Sequence, residues 1–177
     1  MIKIICVGKI KEKYFTDAIK EYQKRLSKYT KLEIVEVTDY DGDISTILKK
    51  ESEQIQKHLN DKSYIITLEI EGNNLDSVEF SKKIDNVLIN NADITFIIGG
   101  SYGLSDEIKN KSNYKLSFSK MTFPHQLFRV MLLEQIYRSY RIINNESYHK
   151  WIKWNKITHY ILGSDLFWKN LLLVYAL

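Results

Sequence analysis

Leu116-Ser-Phe-Ser-Lys-Met-Thr-Phe-Pro-His-Gln-Leu-Phe-Arg129 joins a short β-rich run to an amphipathic helix through a tight polar turn. The run stops at Ser119, the turn covers Lys120 to Phe123, and Pro124, the chain's only proline, opens the helix. Proline suits the first helical position, where its missing N–H would have no intrahelical partner anyway. That spacing predicts His125 at the second helical position, with Gln126 and Arg129 on the first turns. The free N–H groups of such a helix start make a small polar site at a strand end. Upstream, Ile94-Thr-Phe-Ile-Ile98 is a second apolar run, and it ends in Gly99-Gly-Ser-Tyr-Gly103. Two strands that end in polar or glycine loops describe a ligand crevice at the carboxyl end of a sheet.

Working outward, residues 2–7 read as a buried strand and 14–28 as a helix, with Phe15, Ala18, Ile19, Tyr22 and Leu26 on one face. Leu32 to Val37 alternates as a second strand. Asp39 to Asp43 is an acidic turn that caps a helix over about 45–60. Tyr64 to Ile70 is a third strand, ending at Gly72-Asn-Asn. Asp76 with Glu79 forms a capping box for a helix to about Leu88. After the strand 94–98, Ser105-Asp-Glu starts a short helix, 115–118 is a fifth strand, and the helix from Pro124 runs to about Ile143. Strands alternating with helices predict an α/β fold, a mostly parallel sheet covered on both faces.

The 177 residues suffice for one domain with a real core. A net charge of +4 is too mild to announce a nucleic-acid partner by itself. Its distribution says more. Lys109, Lys111, Lys115, Lys120, Arg129, Arg138, Arg141 and Lys150 face only Glu134 and Glu146 between residues 109 and 150. Such an excess reads either as a polyanion contact beside the loops or as a solvated helix face. The single cysteine, Cys6, lies in an apolar strand and reads as core. No disulfide is possible, which fits a reducing cytoplasm. The four histidines are scattered without paired spacing, so no metal is expected. The amino terminus reads as a strand rather than a signal peptide.

Gly99 and Gly100 follow a strand, where glycine lets a ligand approach the backbone, or simply makes a turn. A Rossmann reading fails, because Gly8 stands alone after the first strand. A positive helix end would depress the pKa of His125. Arg129, on nearly the same face as Gln126, could hold a phosphate or a carboxylate.

Four segments together resemble one family. They are residues 98–104 (Ile-Gly-Gly-Ser-x-Gly-Leu), 116–126, 129–138 (Arg-Val-x-Leu-x-Glu-Gln-x-Tyr-Arg) and 148–150 (Tyr-His-Lys). They are similar to the large-subunit rRNA methyltransferase H family, of the SPOUT class of S-adenosylmethionine-dependent RNA methyltransferases. Residues 8–14 and the strand end Thr67-Leu68-Glu69 also fit. The resemblance covers residues 1–150 and implies a SPOUT-type parallel sheet flanked by helices, with a carboxy-terminal trefoil knot. Periodicity carries no sign of a knot, and knotted chains are rare; the knot enters on resemblance alone. The resemblance further implies S-adenosylmethionine as cofactor, bound by Leu68, Gly99, Phe118, Ser119, Lys120, Met121, Thr122 and Phe123. It implies Arg138, His149 and Lys150 as catalytic or rRNA-contacting residues, a homodimer, and a cytoplasmic enzyme without metal. The implied reaction is methylation of N3 of a pseudouridine in 23S rRNA on the assembled ribosome.

Residues 151–177 have no counterpart in the family pattern and read as an atypical extension after a methyltransferase domain of residues 1–150. All three tryptophans, Trp151, Trp154 and Trp168, fall there, and residues 166–177 are strongly apolar but too short to span a membrane. A tail beside His149 could cover the site, giving a ribosome-binding protein with impaired activity. A SPOUT methyltransferase acting on tRNA is a rival within the enzyme class. A nucleotide-binding regulator using 99–103 is weaker, since no Walker lysine follows.

Overall fold

A computed structural model describes residues 1–91 and 93–148. The elements follow in the order β1 (Ile2–Val7), α1 (Lys13–Leu26), β2 (Leu32–Val37), α2 (Ile44–Gln56), β3 (Tyr64–Asn74), α3 (Ser77–Asn90), β4 (Ile94–Ile98), α4 (Asp106–Asn110), β5 (Tyr114–Ser117) and α5 (His125–Ile143). The five strands form one parallel sheet in the order β2-β1-β4-β3-β5.

The period-2 alternation of the strands sorts the core into two layers. Ile2, Ile4, Cys6, Ile66, Phe96 and Leu116 meet Leu26 of α1, Phe80 and Ile84 of α3, and Leu132 and Ile136 of α5. Ile5, Val7, Ile65 and Ile97 meet Ile55 of α2 and Ile108 of α4 on the other face. All five residues of β4 are buried, as a central parallel strand requires. The chain moves one way along the sheet through α1 and α3 and the other way through α2 and α4. Reversing direction and face together keeps one hand for all four crossovers. The loop after β4 leads to one face, while those after β3 and β5 lead to the other. A crevice therefore opens at their carboxyl ends.

Three local expectations change. The third strand does not stop before Gly72 but continues to Asn74. Leu116 pairs with both Leu68 and Asn73, so residues 69–72 bulge out of the ladder between two paired segments. A Cβ on Gly72 would lie 2.7 Å from the Leu116 carbonyl carbon, so only glycine lets the bulge close onto β5. Pro124 is the N-cap of α5 rather than its first residue, with ψ 130° outside the helical range, and His125 becomes the first helical position. The fifth strand ends at Ser117, one residue before Phe118. The capping box of α3 forms as the sequence predicts: Asp76 accepts from the Val78 and Glu79 N–H groups, and Glu79 accepts from the Asp76 N–H. Cys6 is fully buried, and burial pushes its thiol up to about 12.

Candidate cofactor site

Three strand ends build the site. After β4 the chain turns back on itself: the Gly103 N–H donates to the Gly100 carbonyl at 3.1 Å. Gly103 takes a φ of +79°, which glycine adopts at little cost. A Cβ on Gly99 would collide with the Gly103 carbonyl group. One on Gly100 would press on Val7 Cγ1 at 3.0 Å and Glu51 Oε1 at 3.1 Å. The two adjacent glycines thus meet separate close approaches.

The bulge after Leu68 supplies the second wall. Asn73 Nδ2 donates to the Lys115 carbonyl and Asn74 Nδ2 to the Ser117 carbonyl, each at 3.1 Å. Ser117 Oγ donates to the Ile70 carbonyl at 2.9 Å. These bonds hold residues 69–71 outward, against the crevice. The third wall is the segment between β5 and α5. The Met121 N–H donates to Ser119 Oγ at 2.9 Å, closing a side-chain turn. Phe118 and Phe123 both rest on Phe128 of α5, with ring centroids 4.9 and 6.2 Å away.

Together these walls enclose a cavity of about 380 Å³. That lies within the about 300–1,000 Å³ of small-molecule sites. Leu68, Phe118, Phe123 and Phe128 make apolar walls, and Gly99 and Gly100 bring backbone to the surface. Glu69, Glu71 and Lys109 add charge, and Ser119, Met121, Thr122 and His125 are also in the lining. An apolar slot edged by backbone and a few polar groups suits a nucleoside: a flat base between hydrophobic walls, with hydroxyls toward carboxylates.

Of the eight residues expected to bind cofactor, Leu68, Gly99, Phe118, Ser119, Met121, Thr122 and Phe123 line this one cavity. Lys120 is exposed and is not part of the lining. Arg138 lies away from it, on the later turns of α5, paired with Glu134 and stacked over the Tyr148 ring at 4.8 Å. His149 and Lys150 fall outside the described residues.

Arg129 does not face a ligand. It is buried and donates to Glu36 Oε1 at 2.6 Å and to the carbonyls of Val7 and Gly8. His125 has its pKa lowered, as expected, but burial is the first cause and the Arg129 charge the second. Asp39 opposes the shift. Glu51, on α2 behind Gly100, is buried, and burial raises its pKa, with help from Asp39. Nothing in the sequence singled it out, because helical spacing marks it only as one more polar residue of α2. Tyr148 was also missed as a structural residue. Its hydroxyl donates to Glu134 Oε2 at 3.0 Å and its ring meets Tyr137 edge-on at 5.1 Å.

Among the described residues, no group of three or more His, Cys, Asp or Glu side chains could hold a metal ion. No helix among them is long and apolar enough to cross a membrane.

The family model described as "Predicted SPOUT methyltransferase" matches residues 1–149. A chain from Methanococcus maripaludis is 60% identical over 157 residues, covering 84% of this chain and 99% of its own length. Ribosomal RNA large subunit methyltransferase H of Clostridium botulinum is 55% identical over 157 residues, with the same coverage. Among solved structures, a probable methylase family protein from Haemophilus influenzae Rd KW20 superposes with a TM-score of 0.52 at 14% identity. It covers 99% of this chain and 87% of its own, a likeness of fold alone.

Proposed function

The chain belongs to the SPOUT methyltransferase family, within the group of ribosomal RNA large subunit methyltransferase H, and from that premise we propose that it methylates large-subunit rRNA with S-adenosylmethionine as donor. The finer reading is transfer to N3 of a pseudouridine in 23S rRNA on the assembled ribosome. The observation that carries the donor reading is the convergence of the β3, β4 and β5 ends on one cavity with apolar walls edged by backbone, and the finer reading of the target rests on the resemblance.

When bound, S-adenosylmethionine supplies a sulfonium-activated methyl group. Leu68, Phe118 and Phe123 would hold its adenine by apolar contact, and the backbone of 118–123, including Lys120, would read the adenine edge. Gly99 lets the Gly103 turn close against the strand end and so shapes this wall. The phenylalanine walls exclude water and fix orientation, which matters for an in-line displacement. N3 of the target base carries a proton at neutral pH, and that proton must leave. His149 is proposed to take it, with Arg138 and Lys150 stabilising the developing anion and contacting rRNA.

Arg138 stands thirteen residues beyond His125 on α5. The helical rise puts the two about 20 Å apart. A cavity that uses Arg138 therefore takes it most readily from a second copy, which supports a homodimer. The carboxy-terminal knot, the cytoplasmic location and the division of the chain at residue 150 belong to the same reading. The family model's end at residue 149 supports that division.

The test is incorporation of labelled methyl from S-adenosylmethionine by the full chain, with assembled ribosomes lacking the modification offered beside tRNA. The expected result is transfer to the ribosomes only. Transfer to tRNA, or donor binding with no transfer to either, would overturn the substrate assignment.

A further inference from the structure

Half of the basic residues that the sequence suggests as polyanion contacts are committed within the chain. Arg129 is given to Glu36, Arg138 to Glu134, Arg141 to Glu146 and Lys109 to Asp106. Lys9 and Lys11 lie outside that stretch; like Lys111, Lys115 and Lys120 they are exposed, and neither side chain forms an ion pair or hydrogen bond among the described residues.

Their backbone, by contrast, is held at four points. The Gly8 N–H donates to the Val37 carbonyl at 2.8 Å, and the Gly8 carbonyl accepts from Arg129. The Ile10 N–H donates to Glu36 Oε1 and the Lys11 N–H to Gln126 Oε1, both at 3.1 Å. Gln126 is the second residue of α5, next to His125 of the cavity lining. A Cβ on Gly8 would lie 3.4 Å from His125 Nε2. Lys11 is near enough for its charge to help lower the His125 pKa. Asp39 borders Gly8 from the end of β2.

We infer that the loop 8–11 is a phosphodiester contact for the RNA substrate, with Lys9 and Lys11 each meeting a backbone phosphate at the mouth of the cavity. This rests on the rRNA methyltransferase reading and gives that reading a surface. A pre-held backbone limits the ordering cost of binding to the two side chains. Phosphate contacts position the nucleic acid without reading its sequence. The loop would thus set where the target strand lies, leaving base choice to the cavity.

The test measures binding of the full chain to large ribosomal subunits and to naked 23S rRNA across a salt series. It compares Lys9→Gln/Lys11→Gln with Lys62→Gln/Lys111→Gln, a pair that removes the same charge at the amino ends of the strands, beside Asn113 and Tyr64. Calorimetry with S-adenosylmethionine checks the cavity. For the first pair the expected result is about tenfold weaker binding to both RNA forms, a log–log salt slope shallower by about 1.5–2, and unchanged donor affinity. An equal loss from the second pair would reduce the effect to net charge and overturn the inference. So would an unchanged slope, or a loss on subunits but not on naked rRNA, which would mean an acidic ribosomal protein. A wild-type chain that binds neither RNA form sinks both readings. Normal wild-type binding with an unaffected Lys9/Lys11 variant sinks only this one.

Discussion

Three groups at strand ends converge on the Arg129 guanidinium: the Glu36 carboxylate and the carbonyls of Val7 and Gly8. Replacing Arg129 with Met would strand these acceptors, at a cost of about 3 kcal/mol. Chemical denaturation should show that loss, and Arg129→Lys should recover only part of it, because an ammonium lacks the planar fork. The pairing was not legible in the sequence, since Glu36 lies 93 residues away and spacing on a helix says nothing about a partner on another strand. Gly99 was legible as a candidate, though the reason for it was not. The collision it avoids is with Gly103, four residues on. Gly99→Ala should open that turn and weaken S-adenosylmethionine binding at least tenfold by calorimetry, while the far-ultraviolet spectrum stays that of the folded chain. His125 has a folded pKa below its ordinary 6.5. The unfolded chain therefore binds the proton more tightly, and stability falls as pH drops below about 6.5 toward the folded value. Denaturation midpoints of wild type and His125→Asn should diverge in that window and run parallel above it. Parallel midpoints throughout would contradict the assignment.

Helix starts with a side-chain cap, at Asp43, Asp76 and Ser105, were the most readable elements, because capping is local chemistry, whereas the start of α5 fell one residue later than read. Asp76 and Glu79 satisfy each other's backbone donors within one turn. Asp76→Ala should cost about 1 kcal/mol in a denaturant titration and leave donor binding unchanged. The β3 bulge was the least readable. Gly72-Asn-Asn has the composition of a turn, and in isolation it would be one. Here Asn73 and Asn74 instead spend their amide groups on β5 carbonyls and extend the strand. Tertiary pairing overrides local turn preference. The consequence is functional, since the bulge carries Glu69 and Glu71 into the cavity wall. Gly72→Ala should both destabilise the chain and weaken the donor, because the same backbone serves both. Loss of stability with full donor affinity would separate them and contradict this view of the bulge.

At the scale of the molecule, alternation of strand and helix disclosed a parallel sheet with both faces covered, because each pattern must bury its apolar side. The order β2-β1-β4-β3-β5 was out of reach. Periodicity fixes which face a residue takes, not which strand lies beside it. Resemblance offered eight residues for the cofactor, and the structure draws seven of them to one cavity. The charge pattern was only partly readable, because pairings such as Arg129–Glu36 and Arg141–Glu146 engage basic residues inside the chain. The helical pairs Glu134–Arg138, Glu21–Arg25 and Asp106–Lys109 could be read from spacing. What most directly tests the whole is the position of the transferred methyl. The full chain would be incubated with S-adenosylmethionine and assembled ribosomes lacking the modification, and the 23S rRNA then digested and mapped by mass spectrometry. A single new methyl on N3 of a pseudouridine is the predicted result. A methyl on a ribose or on another base, or none at all with the donor bound, would contradict it.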